Sequence, residues 1–429
     1  DPELNSLEDR LNINNQTIKI YFANFMESRT LIAQAHSQLF PTVGFGPSFQ
    51  RSRSSANIGN SAGNSGKQSN LTSLPFDVSW EPDLWGRVRN TIREEQYNAQ
   101  LSAADLENEK LSEQATLAIT FFEIRGQDAL QALLDQTVVN DKKSLELTQS
   151  LYDTGQTDQI SVVEAQNTLQ NAQSAALNLG VARAQYEHAI AVLIGVNPST
   201  FSVPVKPLLT EPPPIPVGVP SQLLERRPDI AAAERSMAAD NAQIGVADAA
   251  FFPTLTLSAT GGIESSTFAH LFDLSSRFWS VGPSLSQTIF DAGLRRATVN
   301  QYIEIYNSDV ANYRQTVLAA FQQVEDRLAA VRILSQQIQQ QNVAAQSAQR
   351  VVNLENARYQ TGLDPYIDLV TDQNTLLNDQ QTLATLHIQE MTASVELIEA
   401  LGGGWDRTQL PTPAQVSQKL TPAFTAIQK

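Results

Sequence analysis

The chain contains no cysteine. That excludes disulfides, thiolate metal sites, a cysteine nucleophile and lipidation of this stretch, and it leaves the redox compartment open. Long apolar runs are missing too. Segments such as AIAVLIGV at 189–196 fall far short of the ~20 residues that a membrane-spanning helix needs, and hydrophobic residues make up only 41% of the chain. Basic residues are in deficit. Against 45 Asp and Glu stand 29 Lys and Arg, a net charge of −16. Phosphate binding needs clustered Lys and Arg, so no nucleic-acid partner is expected. The four histidines (His36, His188, His270, His387) are scattered without ligand spacing, and no phosphate loop, zinc motif or nucleophile elbow occurs. No cofactor, metal site or catalytic residue is therefore expected, and the chain does not read as an enzyme. No signal peptide is visible at the start, so the sequence is expected to be mature or trimmed.

What the sequence does contain is a repeat. YDTGQTDQISVVEAQNTL at 152–169 returns as YQTGLDPYIDLVTDQNTL at 359–376, an offset of 207 residues. At that offset Ser79 pairs with Ser286, Gly86 with Gly293, Arg89 with Arg296 and Gly195 with Gly402. LFPTVGF at 39–45 is echoed by FFPTLTL at 251–257. A period this long points to duplication and two-fold pseudo-symmetry, not to a solenoid of short units.

After each Phe-Pro-Thr come two segments of period two. Val43, Phe45 and Phe49 alternate with Thr42, Gly44 and Ser48, and Phe76, Val78 and Trp80 with Asp77 and Ser79. In the second half Leu255, Leu257 and Ala259 alternate with Thr254, Thr256 and Ser258, and Val281, Leu285 and Ile289 with Gly282, Ser286 and Thr288. These are strands with unlike faces, of about the 9–11 residues that a tilted transmembrane strand requires. Small Ser, Thr and Gly suit a wet lumen. Phe40, Trp80, Phe251, Phe252, Phe278 and Trp279 gather near strand ends, as a membrane girdle would. The alternative is a soluble sandwich with one wet face. Between the strands, 51–70 is a polar loop by composition. Four strands cannot close a barrel, and open edges are not tolerated in lipid. If the strands span a membrane, several chains must share one barrel.

Helices form the larger part. No proline falls between about Arg87 and Leu151 or between about Leu294 and Gln360, so each stretch is expected to be one helix of roughly 100 Å. The helix after the first turn carries a seam at Val162, Ala165, Leu169, Ala172, Ala176, Leu179, Arg183, Tyr186, Ile190 and Leu193. Its spacings alternate three and four, a heptad pattern with one polar break at Arg183. Its counterpart keeps Leu369, Leu376, Leu383 and Leu397 at multiples of seven. The Pro-rich 196–220 cannot be helical throughout. The expected order is then an N-terminal segment 1–15 and a first repeat 16–195, with a β-hairpin about 41–82, a long helix about 87–151, a tip turn 152–159 and a helix 160–195. A linker 196–227 comes next. The second repeat, 228–402, has a hairpin about 253–290, a long helix about 294–358, a tip turn 359–365 and a helix 366–402, before a C-terminal segment 403–429.

These parts resemble the TolC-like outer-membrane factors of Gram-negative tripartite efflux systems, most closely the OprM/NodT lipoprotein branch. The resemblance spans nearly the whole chain. It is carried by VSWEPDLWGRVR at 78–89, LLERRPDIAAAE at 223–234, IGVADAAFFPTLTLSATGG at 244–262, QTIFDAGLRRA at 287–297 and RYQTGLDPYIDLV at 358–370. It implies a mainly α fold with a small β part: long antiparallel coiled-coil helices in a trimeric α-barrel, and four strands per chain in a shared 12-stranded transmembrane β-barrel. The segments 1–15, 196–227 and 403–429 would form an equatorial belt. It also implies a passive exit duct in the outer membrane with a long periplasmic extension. Its partners would be outer-membrane lipid, a periplasmic adaptor protein and an inner-membrane pump of the RND type. The cargo would be drugs, other toxic compounds or metal ions. The branch usually begins at an acylated Cys; this chain begins Asp-Pro-Glu-Leu, so that Cys is expected just upstream or to have been removed.

In this reading both Thr-Gly turns lie at the periplasmic tip. Tyr152, Thr154, Gly155 and Asp158, with Tyr359, Thr361 and Gly362, are the expected adaptor contacts. Asp364, Asp368 and Asp372 fall on one helical stripe. Related channels narrow the pore with an apolar residue and an acid one turn later, which align with Ile367 and Thr371. The acid is absent at 371, and Asp368 or Asp372 is its candidate substitute. The rival from another class is a soluble coiled-coil scaffold with a β cap.

Overall fold

The computed structural model describes residues 1–55, 68–207, 212–213 and 223–418. The expected loop 51–70, linker 196–227 and C-terminal segment 403–429 lie partly outside the described residues. In chain order the main elements are α1 (Pro2–Asn14), α2 (Gln16–Ser37), β1 (Thr42–Phe45), β2 (Ser48–Arg53), β3 (Gln68–Trp80), α3 (Arg87–Asp153) and α4 (Gln159–Leu193). Then come α5 (Leu223–Arg226), α6 (Pro228–Ala249), β4 (Thr254–Ser265), β5 (Arg277–Ser286), α7 (Leu294–Gln360), α8 (Tyr366–Ala400) and α9 (Pro413–Val416). The helices α3 and α7 are each 67 residues long, and α4 and α8 each 35. The duplication thus preserves helix length to the residue.

Two compact units form, and each draws on both halves of the chain. One combines Asp1–Asn24, Ala103–Ala231 and Arg314–Leu410, the other Phe25–Ser102, Ala232–Tyr313 and Pro411–Lys429.

The first unit is helical. Leu7 and Leu11 of α1, Leu117, Phe121 and Ile124 of α3, and Ile190 of α4 share one core with Ile194 and Val203. Ala165, Ala172 and Ile190 are the buried seam positions of α4. The polar break in that seam has a partner. Arg183 Nε donates to Asp128 Oδ1 at 2.7 Å, and Arg183 Nη2 donates to the Val203 carbonyl at 2.8 Å. The Lys206 backbone N–H donates to Asp128 Oδ2 at 2.8 Å. A buried charge must be paired, and this pairing pins residues 203–206 against α3 and α4.

Each repeat is also latched where it begins. Asn15, just before α2, donates through Nδ2 to the Leu193 carbonyl at the end of α4, 3.0 Å away. Arg227, just before α6, donates through Nη1 to the Ala400 carbonyl at the end of α8, 2.9 Å away. The acceptors are one repeat length apart. The last carbonyls of a helix lack intrahelical partners, so both latches satisfy groups that would otherwise be orphaned. Asn15 also caps α2, its Oδ1 accepting from the Ile18 N–H at 2.9 Å.

The second unit holds the sheet, all antiparallel, in the order β1-β3-β4-β5 with β2 also on β3. Four strands were expected. The first is split into β1 and β2 at Gly46-Pro47, because Pro47 has no N–H to give the ladder. The register sorts side chains onto two faces. Val43 lies opposite Val78, Phe45 opposite Phe76, Ala259 opposite Val281, and Leu255 opposite Leu285. Gly44 opposite Asp77, Ser79 opposite Ser258, and Thr260 opposite Ser280 make the other face. On that face the Thr260 hydroxyl donates to Asp77 Oδ1 at 2.7 Å. The halves of the chain join at β3–β4, where Gly262 faces Pro75. A Cβ on Gly262 would lie 2.3 Å from the Leu74 carbonyl oxygen and 2.9 Å from Pro75 Cα, whereas one on Gly261 would meet nothing closer than 3.8 Å.

Gly262→Ala is therefore expected to cost about 1–3 kcal/mol and to lower the thermal midpoint, while Gly261→Ala leaves the sheet intact. Equal midpoints for the two variants would show that Gly262 does not set the β3–β4 spacing.

Candidate functional site

Two regions carry the candidate residues, one in each unit. In the first unit α3 and α7 end at the two Thr-Gly turns. Gly155 has φ +76 and Gly362 φ +71, left-handed conformations in which glycine carries no Cβ penalty. Both turns close in the same way. The Gln156 N–H donates to the Leu151 carbonyl at 2.8 Å and the Gly155 N–H to the Tyr152 carbonyl at 2.9 Å; in the second turn, the Leu363 N–H donates to the Arg358 carbonyl and the Gly362 N–H to the Tyr359 carbonyl, both at 3.0 Å. These paired bonds are the Schellman pattern. Thr154 and Thr361 turn their hydroxyls back onto their own helices, on the Ser150 and Arg358 carbonyls among others.

The two turns lead into their next helices differently. Asp158 caps α4, accepting from the Ser161 N–H at 3.0 Å and its hydroxyl at 2.9 Å. These bonds hold the Asp158 carboxyl below the usual carboxylate range. Pro365 opens α8 without a side-chain cap. Asp364 instead takes a two-pronged bond from Arg358, with Nη2 to Oδ1 at 2.8 Å and Nε to Oδ2. That pair lowers the Asp364 carboxyl, while the neighbouring Glu355 is raised by its hydrogen bond to Asp364. Asp364 is thus neutralised locally, and the acidic stripe that was expected reduces to Asp368 and Asp372.

Tyr359 is a correction. As a docking residue it needs an exposed ring, and it is only 4% exposed. Its hydroxyl lies 3.0 Å from the Thr148 hydroxyl, and its ring centroid 5.4 Å from that of Tyr366. With Ala165 and Leu369 the two tyrosines form the core behind the turn. Tyr152, by contrast, is 40% exposed. On α8, Ile367, Asp368 and Thr371 are exposed and Asp372 half-buried. The Thr371 hydroxyl donates to the Ile367 carbonyl at 2.8 Å and so is engaged by its own helix. Sequence reading missed Arg358; its signal was a lone cation six residues before an acid across a turn.

In the second unit the sheet exposes one apolar face. Trp279 is 79% exposed and Val281 69%, and Val43, Phe45, Phe76 and Leu285 are also open. Among the described residues β1 and β2 on one side and β5 on the other have no further strand partner. Of the expected girdle, Trp80 ends β3 and donates through Nε1 to the Leu39 carbonyl at 3.0 Å. Phe40 is exposed beside it, and Phe251 and Phe252 lie just before β4. Phe252 stacks on Trp85 at 4.8 Å, and Trp85 Nε1 donates to the Pro253 carbonyl at 2.7 Å. Phe278 lies opposite Gly262 and therefore on the polar face, away from Trp279. Period two forces neighbours onto opposite faces, so the two aromatics cannot share one girdle.

At the sheet-to-helix junctions one device recurs. Asp83 accepts from the Arg89 N–H at 2.9 Å and from Arg89 Nε at 3.0 Å; Asp291 accepts from the Gly293 N–H at 3.0 Å and from Arg295 Nε at 2.5 Å. The repeat offset pairs Arg89 with Arg296, but Arg295 makes the bond. The Asp83–Gly86 turn is one residue longer than Asp291–Gly293, which moves the arginine by one.

The family described as "Outer membrane efflux protein" matches residues 7–196 and 219–403. The chain is 31% identical over 408 residues to a protein named "Probable efflux pump outer membrane protein TtgC" of Pseudomonas putida, covering 94% of this chain and 84% of that one. Its fold is similar to that of the outer-membrane channel OprN, with a TM-score of 0.87 and 27% identity over 94% of this chain and 91% of that one. It is similar also to that of CusC, with a TM-score of 0.86 and 25% identity over 94% and 93% of the two chains. Both repeats are matched, the soluble-scaffold alternative falls away, and the chain belongs to the outer membrane efflux protein family.

Proposed function

We propose that three copies of this chain share one β-barrel and form the passive exit duct of a tripartite efflux pump. The observation that carries the proposal is the sheet: one apolar face exposed, one polar face of small residues, and an unpaired edge on each side. In hydrocarbon each unpaired backbone group costs several kcal/mol, so a membrane-spanning sheet must close. Four strand ribbons are too few for one chain to close alone, and three chains supply twelve. The polar face would then line the lumen and the apolar face meet lipid.

The partners are inferred from the relatives' role. An adaptor protein would dock on the exposed parts of 152–158 and 359–365, and an RND-type inner-membrane pump would supply the cargo. The segments 1–15, 196–227 and 403–429 would make the equatorial belt. The cargo is proposed as small molecules: drugs, other toxic compounds or metal ions. A conduit lined by Gln, Ser, Thr and acids offers no evident selective pocket, which leaves selection to the pump. The gate is proposed at the start of α8, where Ile367, Asp368 and Thr371 are exposed and Asp372 half-buried. Asp364 is left out because Arg358 holds it.

The native mass tests the assembly. In detergent three 47.0 kDa chains, about 141 kDa of protein, are expected in one particle. A monodisperse monomer that needs no detergent would remove the shared barrel. In planar bilayers the double variant Asp368→Ala, Asp372→Ala is expected to raise single-channel conductance severalfold. Conductance at the wild-type level would take both acids out of the gate.

A further inference from the structure

The first unit contains a groove of which the exit-duct reading uses only Ile367. It lies between α3, α4 and α8, has a volume of about 420 Å³, and is lined among others by Leu134, Asp141, Glu164, Ile367, Val370 and Gln373. That volume is in the range of small-molecule sites. Asp141 is only 6% exposed, and its Oδ2 is buried without a hydrogen-bond partner. The Gln373 Oε1 is buried and unpartnered as well. A buried polar atom is normally paired, and here two residues lining one groove each carry a buried oxygen without a partner.

The charge is one-sided. Asp141 and Glu164 line the groove, and no Lys, Arg or His does so among the described residues. The remaining wall mixes apolar side chains, Leu134, Ile367, Val370 and Leu377, with neutral amides and hydroxyls of Asn, Gln and Thr. An occupant must bring hydrogen-bond donors, positive charge and a hydrocarbon surface. A bare metal ion fits poorly, since no group of three or more metal-binding side chains suited to an ion occurs among the described residues.

We propose that this groove binds a small organic ammonium ion, with its N–H donors on Asp141 and Gln373 and its hydrocarbon part against Ile367 and Val370. All of its lining residues belong to one chain. Its position against Ile367 places a bound cation beside the proposed gate. Burial pushes the empty Asp141 carboxyl up to about 6. Glu164 on α4 lines the same groove, and the Tyr366 hydroxyl on α8, raised chiefly by burial, also feels Asp141, Tyr359 and Glu164. An ammonium ion favours the ionised carboxylate, so binding is full above that value and weakens as the pH falls through it.

Calorimetric titration of the full chain in detergent, with phenethylammonium chloride as the probe and 2-phenylethanol as its neutral counterpart, tests the proposal. Saturable uptake of the cation is expected near neutral pH, with the alcohol much weaker. Asp141→Asn keeps the shape and removes the charge, and is expected to weaken the cation by about tenfold or more while leaving the alcohol unchanged. Below pH 6 the wild-type affinity should fall by about tenfold per pH unit, and the variant's should stay flat. The thermal midpoint of Asp141→Asn shows that the variant is folded. No saturable uptake by the wild type would overturn the proposal, as would equal affinity in the two proteins.

Discussion

An unpaired peptide group is cheap in water and costly in hydrocarbon, and this one fact governs the sheet. A strand edge in lipid costs several kcal/mol for each N–H or C=O left bare. The chain builds four strand ribbons, splits the first at Pro47 and leaves an edge on either side. Everything else about the sheet is consistent with a hydrocarbon surrounding. Trp279, Val281 and Leu285 stand open on one face, while mainly serine, threonine and glycine, with Asp77 and Phe278 among them, occupy the other. In water such a face would be an aggregation hazard. In lipid it is the required surface.

The helical unit obeys a different constraint. Long helices can pack side by side only if their buried polar groups find partners. The seam of α4 tolerates Arg183 because Asp128 and the Val203 carbonyl receive it. The buried Thr148 and Tyr359 hydroxyls meet each other. Asp141 is one of the places where this accounting leaves a remainder. A carboxylate without a donor, deep between helices, is unfavourable for folding alone, and the proposed ligand would supply the missing donor.

Much of this was legible in the sequence. Period two in 41–45 and 255–259, heptads after Tyr152 and the 207-residue offset needed no structure, because side-chain period and repeat length are written directly in residue order. What was not legible depended on contacts across the fold. Tyr359 lies in a turn motif, yet its ring goes inward because Thr148, far away in sequence, offers a hydroxyl. The aromatic pair Phe278-Trp279 looks like one feature in sequence and is divided by the pleat. Asp141 lies seven residues from both Leu134 and Thr148, all three buried. That spacing marks it as a seam residue once α3 is known to be helical, but nothing local says that its carboxylate lacks a partner. Asp364 reads as part of an acidic stripe until Arg358 is seen to reach back across the turn.

The two latches have a consequence for how the chain folds. Asn15 must meet the end of α4 and Arg227 the end of α8, contacts that span 178 and 173 residues. Contacts this distant in sequence form late, since the loop must be closed before they stabilise anything. Each repeat therefore stays open until its final helix is in place. The first can shut without waiting for the second. The duplication has divided one long closure problem into two successive shorter ones, each ended by a single side chain on a helix terminus.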